Sequence, residues 1–158
     1  MDKYMEIAKN LSEENLITNA GGPFGACVVK DGIIIGKGSN HVLKSNDPTA
    51  HAEIEAIRDA CRNINSYDLS DCTLYTSCFP CPMCISAIIW ANIKTVYYGN
   101  TAKDAEEIGF RDNFIYDYIA NITKNDNPSD VLKLIGIDRE ETIKVFNEFK
   151  DKNNKTIY

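Results

Sequence analysis

The sequence predicts an α/β protein in which helices cover both faces of a mixed β-sheet. Three observations lead to this fold class. Helical segments alternate with short apolar segments over the first hundred residues, an Asp-Gly pair joins two of the apolar segments, and prolines and glycines separate the others. Alternation of this kind is typical of helices packed on a sheet. A chain of 158 residues has the length of one domain with its own core.

Local signals define each element of the first hundred residues. Gly21-Gly22-Pro23 ends the first helix, and Asp31-Gly32 is the turn of a β-hairpin. Thr49 is the expected cap of the second helix, and Pro82 fits the first turn of the third. The predicted elements, in chain order, are a helix over 2–18, strands over 26–29 and 33–35, a helix over 50–62, a strand over 73–76, a helix over 82–91 and a strand over 94–98.

The pattern weakens after residue 100. Helices are predicted over 102–107, 114–120 and 139–151, and a strand over 131–135. The last helix has the strongest pattern, because Ile143, Phe146 and Phe149 recur on one side at a spacing of three residues. An Ile-Tyr pair at 157–158 is unusual for a frayed end, which is ordinarily polar.

Composition indicates a small substrate and a reducing compartment. The net charge of −6 disfavours nucleic acid as a partner, since nucleic-acid binding depends on lysine and arginine. No apolar run reaches the roughly 20 residues of a membrane span, and residues 1–6 lack the pattern of a signal peptide. The six cysteines are therefore expected to be thiols in a cytoplasmic protein, some of them metal ligands.

Four residues have the spacing of a catalytic zinc site. His51, Cys81 and Cys84 are the expected ligands, a nitrogen and sulfur set that suits one Zn²⁺ per subunit with a bound water or hydroxide. Cys81 and Cys84 lie three residues apart at a helix start, where both sulfurs are on one side. Glu53, two residues from His51, is the candidate catalytic base that contacts the water without binding the metal.

Cys78 leaves two alternatives open. The run Cys78-x-x-Cys81-x-x-Cys84 resembles part of an iron–sulfur binding sequence. Cys78 can also complete a closed structural zinc site, although Pro80 favours an extended path that takes Cys78 away from the metal. The remaining cysteines, Cys27, Cys61 and Cys72, are predicted core residues.

The chain resembles the cytidine-deaminase-like superfamily of zinc nucleobase deaminases, through the H-x-E…P-C-x-x-C signature. Within it, the chain closely resembles the bacterial guanine deaminases. The segments that carry the resemblance are Gly21-Gly22-Pro23-Phe24-Gly25-Ala26, Ser45 to Glu53, Tyr75-Thr76-Ser77-Cys78, Pro80-Cys81-Pro82-Met83-Cys84, Gly109-Phe110 through Asp112, Phe114-Ile115-Tyr116 and Tyr158.

The resemblance implies a three-layer α/β/α fold with a five-stranded sheet. It also implies one deaminase domain over 1–158 and a homodimer in which a C-terminal segment, about 139–158, is exchanged between subunits. In that arrangement Tyr158 of one subunit closes the site of the other, which would account for the apolar end of the chain.

The resemblance further implies four substrate contacts: Asn40, Asp112, Tyr158 and the stacking candidate Phe24. Three of them also have purely structural interpretations. Asn40 can cap a turn, Phe24 can pack in the core, and Asp112 can be a solvated loop acid. Phe79 departs from the family, which commonly has glutamate at this position. That change leaves the zinc chemistry intact and affects the expected substrate range.

The implied reaction is the hydrolytic deamination of guanine to xanthine and ammonia, a step of purine metabolism. Three rival functions remain. The first is a deaminase of another small base or nucleoside, such as cytosine or guanosine. The second is a tRNA adenosine deaminase, and the third is a non-enzymatic zinc or redox module built on the cysteines.

Overall fold

The computed structural model describes residues 1–110, 112–122, 132 and 134–157, with only the backbone at 113 and 122. It contains two compact units, Met1–Asp112 and Asn113–Tyr158. The elements of the first unit are α1 (Lys3–Thr18), β1 (Gly25–Lys30), β2 (Ile33–Ser39), α2 (Val42–Ser45), α3 (Ala52–Ile64), β3 (Cys72–Cys78), α4 (Pro82–Trp90), β4 (Thr95–Asn100) and α5 (Ala102–Glu107). Those of the second are α6 (Asn113–Ile122) and α7 (Arg139–Asp151).

The strands of the first unit form a mixed sheet in the order β2-β1-β3-β4. β1 pairs antiparallel with β2 and β3, and β3 pairs parallel with β4. The hairpin between β1 and β2 turns at Asp31 and Gly32, which have φ of 49° and 78°. Positive φ at both positions is the requirement of a type I′ turn, so the predicted Asp-Gly hairpin is confirmed.

The sheet lies between two layers of helix. Gly25 lies against the backbone of α1 at Ala8, whereas Gly38 lies against the backbone of α3 at Ala52. Gly25 and Gly38 belong to adjacent strands, and their Cβ directions fall on opposite faces because side chains alternate along a strand. α4 contributes Ile88 to the same core as α3, so the three-layer α/β/α arrangement is confirmed.

The sheet has four strands among the described residues, not the five expected. The predicted fifth strand, 131–135, includes residues 131 and 133, which lie outside the described residues. Its other members, Leu132, Leu134 and Ile135, are half or more exposed and are not in a strand. These three side chains have the apolar pattern of a buried strand, but they are not part of the sheet.

Thr49 does not cap a helix, which corrects the prediction. Its amide and hydroxyl both bond to Asp47 Oδ1, at 2.8 and 2.7 Å, so a local turn captures the side chain. The next helix, α3, begins at Ala52 with His51 at its N-cap, and that cap makes no side-chain bond. This shift leaves the His51 side chain available at the helix start.

Other boundaries differ by a few residues. β2 and β3 each have seven residues, because interstrand pairing extends them past their apolar centres through Ser39 and Cys78. The short helix α2 was not predicted. Among the described residues, no helix has both the length and the apolar character needed to cross a membrane.

Candidate metal centre and pocket

Two helix starts place the candidate ligands together. His51 is the N-cap of α3, Cys81 is the N-cap of α4, and Cys84 lies in the first turn of α4. His51 Nδ1 is 3.5 Å from Cys81 Sγ and 3.6 Å from Cys84 Sγ. One ligand atom from each of the three residues lies within 4.8 Å of the others. The three residues predicted from the sequence signature therefore form one cluster.

The cluster fits zinc. Tetrahedral zinc, with bonds of about 2.0 Å to nitrogen and about 2.3 Å to sulfur, separates a nitrogen ligand from a sulfur ligand by roughly 3.5 Å. Both nitrogen–sulfur separations match this value. A nitrogen and two sulfurs also belong to the donor types that zinc prefers.

Charge is unequally shared between the two sulfurs. The hydrogen bond from Cys84, supported by His51, lowers the pKa of Cys81 to about 4. The bond to Cys81, together with burial, raises the pKa of Cys84. The bond to Cys81 also raises the pKa of His51. The chain thus presents one thiolate beside two groups that release protons when a metal binds.

Cys78 lies outside this cluster. Its thiol donates to the Thr101 carbonyl oxygen at 3.6 Å, and burial raises its pKa to about 11. A neutral, buried thiol is a poor metal ligand, since the thiolate is the form that coordinates. The arrangement therefore favours the three-ligand site over a closed Cys3His site. Cys27 and Cys72 are buried, as predicted, and Cys61 packs against the core.

Glu53 is almost fully buried beside the ligands. Its Oε1 accepts a hydrogen bond from Thr76 Oγ1 at 2.9 Å, and its Oε2 accepts one from the Cys84 thiol at 3.4 Å. Burial raises the pKa of the Glu53 carboxyl, against the opposing effect of these bonds. A raised pKa makes a carboxylate a better proton acceptor, which suits the role of a general base.

Thr76 was not singled out from the sequence. It is fully buried in β3 and its side chain points to the α3 face, where Glu53 lies. The alternation of Tyr75 and Thr76 along β3 was the available signal, because only one of two adjacent strand residues faces α3.

A pocket of about 560 Å³ lies over the cluster. Three of the four predicted substrate contacts, Asn40, Asp112 and Phe24, line it together with His51 and Glu53. Tyr158 lies outside the described residues. Among the lining residues that the sequence did not single out as site residues are Asn15, Gly21, Ala105 and Phe110.

Asn40 is buried, and a network of polar contacts holds it. Its Oδ1 accepts a hydrogen bond from the Val42 amide at 3.1 Å, and Asn15 Nδ2 donates to its backbone carbonyl at 2.8 Å. Asn15 Nδ2 also donates to the carbonyl of Gly22 at 2.8 Å. A Cβ on Gly21 would lie 2.0 Å from Asn40 Oδ1. Asn40 therefore does cap a turn, as its structural interpretation stated, and it also lines the pocket.

Asp112 and Phe24 lie in the pocket wall. Burial, followed by the charge of Cys81, raises the pKa of the Asp112 carboxyl. The Phe24 ring meets Phe110 edge to face, with centroids 4.9 Å apart, and it also packs against the core. Phe24 therefore packs against the core, as one interpretation stated, and also lines the pocket; its stacking on a substrate stays a prediction.

Residues 1–100 match the family of the cytidine and deoxycytidylate deaminase zinc-binding region. The chain is 54% identical over 115 residues to guanine deaminase of Bacillus subtilis (strain 168), covering 73% of this chain and 74% of that protein. It is 44% identical over 103 residues to a tRNA-specific adenosine deaminase of Buchnera aphidicola subsp. Schizaphis graminum, covering 65% and 66%.

A solved structure has the same fold. The X-ray structure of guanine deaminase from Bacillus subtilis matches with a TM-score of 0.90 at 44% identity, covering 100% of this chain and 99% of that one.

Proposed function

This chain belongs to the cytidine and deoxycytidylate deaminase zinc-binding family and, within it, to the guanine deaminases, and from that premise we propose that it converts guanine and water to xanthine and ammonia. It is a hydrolase acting on a cyclic amidine C–N bond. The observation that carries the chemistry is the buried Glu53 carboxylate beside the His51, Cys81 and Cys84 cluster, in the wall of a pocket.

The cofactor in this proposal is one Zn²⁺ per subunit, held by His51 Nδ1 and the sulfurs of Cys81 and Cys84. Bound zinc supplies Lewis-acid activation of a coordinated water, whose pKa falls toward roughly 7. The separations within the ligand set support this assignment, as does the zinc-binding family to which the chain belongs.

Glu53 moves the protons of the reaction. One carboxylate oxygen takes a proton from the attacking water, whose oxygen bonds to C2 of guanine. The carboxyl gives that proton to ring N3. It then takes the second proton of the water from the new C2 hydroxyl and gives it to the amino group. The C2–N bond breaks, C2 becomes a carbonyl carbon, and ammonia leaves. Thr76 Oγ1 holds Oε1 of the carboxylate in place, and Oε2 is left to carry the protons once Cys84 has released its own proton to become a metal ligand. General acid–base catalysis of this kind is worth ~10²–10⁴-fold in rate.

The pocket residues bind the guanine edge. Asn40 Oδ1 already accepts from Val42, so Asn40 meets the base through the N–H donors of its side-chain amide. The Asp112 carboxylate accepts from the ring N1–H and the amino group, and Phe24 contacts the ring. A site that pairs such donors strongly rejects bases that lack them.

A small substrate is favoured over tRNA. The described residues that line the pocket include the carboxylates Glu53 and Asp112 and no lysine or arginine. The net charge of −6 is also unsuited to a polyanion, whose affinity depends on basic side chains. The similarity to a tRNA deaminase extends over a smaller share of the chain than that to guanine deaminase.

The proposed assembly is a cytoplasmic homodimer that exchanges a C-terminal segment, about 139–158, within a single deaminase domain over 1–158. Tyr158 of each subunit then closes the partner's pocket. All six cysteines are free thiols, which suits a reducing compartment.

The deciding experiment incubates the zinc-loaded protein with guanine and follows xanthine and ammonia. Guanosine, cytosine, adenine and tRNA are tested in parallel. Conversion of guanine at a rate well above the others is the expected result. If another base is converted and guanine is not, the role of Glu53 stands, but guanine is not the substrate. If the protein binds zinc but deaminates none of these compounds, it is not a deaminase of the proposed kind.

A further inference from the structure

Phe79 is an apolar residue that lines the proposed catalytic pocket. The reaction described above gives its side chain no role. It follows the last residue of β3 and precedes Pro80 and the ligand Cys81. Its side chain lines the same pocket as Glu53 and remains 36% exposed. Exposed aromatic surface inside a pocket is surface that a flat ligand can cover.

The sheet holds the Phe79 backbone and ring in place. The Phe79 amide donates to the Asn100 carbonyl at 2.8 Å, which continues the pairing of β3 with β4. The ring meets the ring of Tyr98 edge to face, with centroids 5.1 Å apart and planes at 87°. Both partners belong to β4, so the ring is positioned by a strand and not by a free loop.

Tyr98 supports Phe79 from outside the pocket. Tyr98 pairs in register with Thr76, the residue that bonds to Glu53, and it is not among the residues that line the pocket. Its neighbour Tyr97 pairs with Tyr75 and stacks on its ring at 4.9 Å. Because side chains alternate along a strand, Tyr97 lies on the opposite face of the sheet from Tyr98.

We propose that Phe79 is a specificity-determining contact that stacks on the fused rings of an uncharged bicyclic base, and that Tyr98 is its positioning residue. This inference rests on the proposed deamination of guanine. The charged groups of the described pocket wall already include Glu53 and Asp112, which suit the hydrogen-bonding edge of the base. Phe79 adds ring contact without a third carboxylate.

The contact is the same in the ground state and in the transition state, since stacking does not depend on the bond being broken. Its loss therefore raises KM and leaves kcat nearly unchanged. Aromatic stacking on a nucleobase is strong enough to change KM by roughly tenfold. The stacking energy grows with the ring area that Phe79 covers. Removing the Phe79 ring therefore weakens the binding of a bicyclic base more than that of a single ring with the same amino and oxo groups.

The test compares guanine with 2-amino-4-oxopyrimidine, which has the same reacting edge and lacks the five-membered ring. KM and kcat are measured for wild type, Phe79→Ala, Phe79→Leu and Phe79→Tyr, with the pyrimidine used as a competitive inhibitor if it is not turned over. We expect Phe79→Ala to raise KM for guanine roughly tenfold and to change binding of the pyrimidine much less. The KM of Phe79→Leu for guanine should lie between those of wild type and Phe79→Ala, and the KM of Phe79→Tyr should equal that of wild type.

Tyr98 is tested with a control from the same strand. Tyr98→Ala should raise KM for guanine severalfold, Tyr98→Phe should restore it, and Tyr97→Ala should leave it at the wild-type value. Zinc content and thermal unfolding are measured for each variant. An unchanged KM in Phe79→Ala, or an equal rise for both ligands, would overturn the inference. The wild-type rate on guanine tests the proposed function separately.

Discussion

At the residue scale, Glu53 is a buried carboxylate that accepts a hydrogen bond from Thr76 Oγ1 at 2.9 Å. We expect Glu53→Ala to lower kcat on guanine by ~10²–10⁴-fold while zinc remains bound, because Glu53 is not a ligand. Xanthine formation and metal analysis of the same preparation measure both quantities. Turnover close to that of wild type would contradict the assigned role.

Cys78 serves as a control for substitutions of the metal ligands, because it is a nearby cysteine outside the cluster. Cys81→Ala and His51→Ala should lose zinc, because each removes one donor from a three-residue set. Cys78→Ala should keep zinc, since its thiol donates to the Thr101 carbonyl and lies outside the cluster. Zinc content after dialysis distinguishes them. Loss of zinc in all three variants would favour a closed site that includes Cys78.

Thr76 is expected to act on the rate through Glu53. Thr76→Val keeps the shape and removes the hydroxyl that bonds to Glu53 at 2.9 Å, so kcat should fall about tenfold or more. Thr76→Ser retains the hydroxyl and should be close to wild type. Equal losses in both variants, measured at constant zinc content, would indicate a packing role instead.

At the element scale, helices α1 and α3 and the glycines of β2 position the residues of the pocket. α1 supplies Asn15, which ties the Gly22 and Asn40 carbonyls together. α3 lies close to β2 because Gly36 and Gly38 leave room for its backbone. The close approach brings His51 and Glu53, at the start of α3, to the end of the sheet where β3 delivers Cys81 and α4.

Gly21 tests this element-level positioning. A Cβ at this position would lie 2.0 Å from Asn40 Oδ1 and 2.6 Å from its carbonyl oxygen. Gly21→Ala should therefore displace Asn40 and lower kcat/KM for guanine by tenfold or more, since the buried amide contact is misplaced. Gly136→Ala is the matched control, because no atom of the described residues lies within 4 Å of its Cβ position. Equal activity in both variants would show that Asn40 does not depend on this loop.

At the scale of the whole molecule, the proposed exchange of the segment about 139–158 makes each site depend on two chains. Deleting residues 153–158 should reduce guanine turnover more than thermal stability, because Tyr158 is proposed to close the partner's pocket. Full activity in the truncated protein would reject the lid.

A subunit-mixing experiment distinguishes exchange from a lid within one chain. The truncated chain has an intact Glu53 and no lid, and full-length Glu53→Ala has a lid and no base. Mixed dimers of the two should regain activity if Tyr158 acts on the partner's site. Mixtures that stay inactive, with mixed dimers verified by mass, would place any lid on its own subunit.

The sequence by itself determined the chemistry. The approach of His51 to the two cysteines depends on the fold, but the H-x-E…P-C-x-x-C signature that predicted His51, Glu53, Cys81 and Cys84, and the spacing of the two cysteines at a helix start, are local properties of the chain. The same holds for the Asp31-Gly32 hairpin and for the helices over 3–18 and 82–90, whose signals lie in neighbouring residues. Thr49 was assigned wrongly because two local hydrogen-bonding partners competed for one side chain.

Only the tertiary structure decided which residues support that chemistry. Thr76, Asn15, Gly21 and Phe110 lie far from Glu53 in sequence, and no local pattern connects them to it. The same is true of Tyr98, which reaches Phe79 through the pairing of β3 with β4. Strand length and strand number also depend on pairing between distant segments, which a pattern of apolar residues does not specify. The physical reason is that burial and interstrand bonds join residues according to their place in the fold rather than in the sequence.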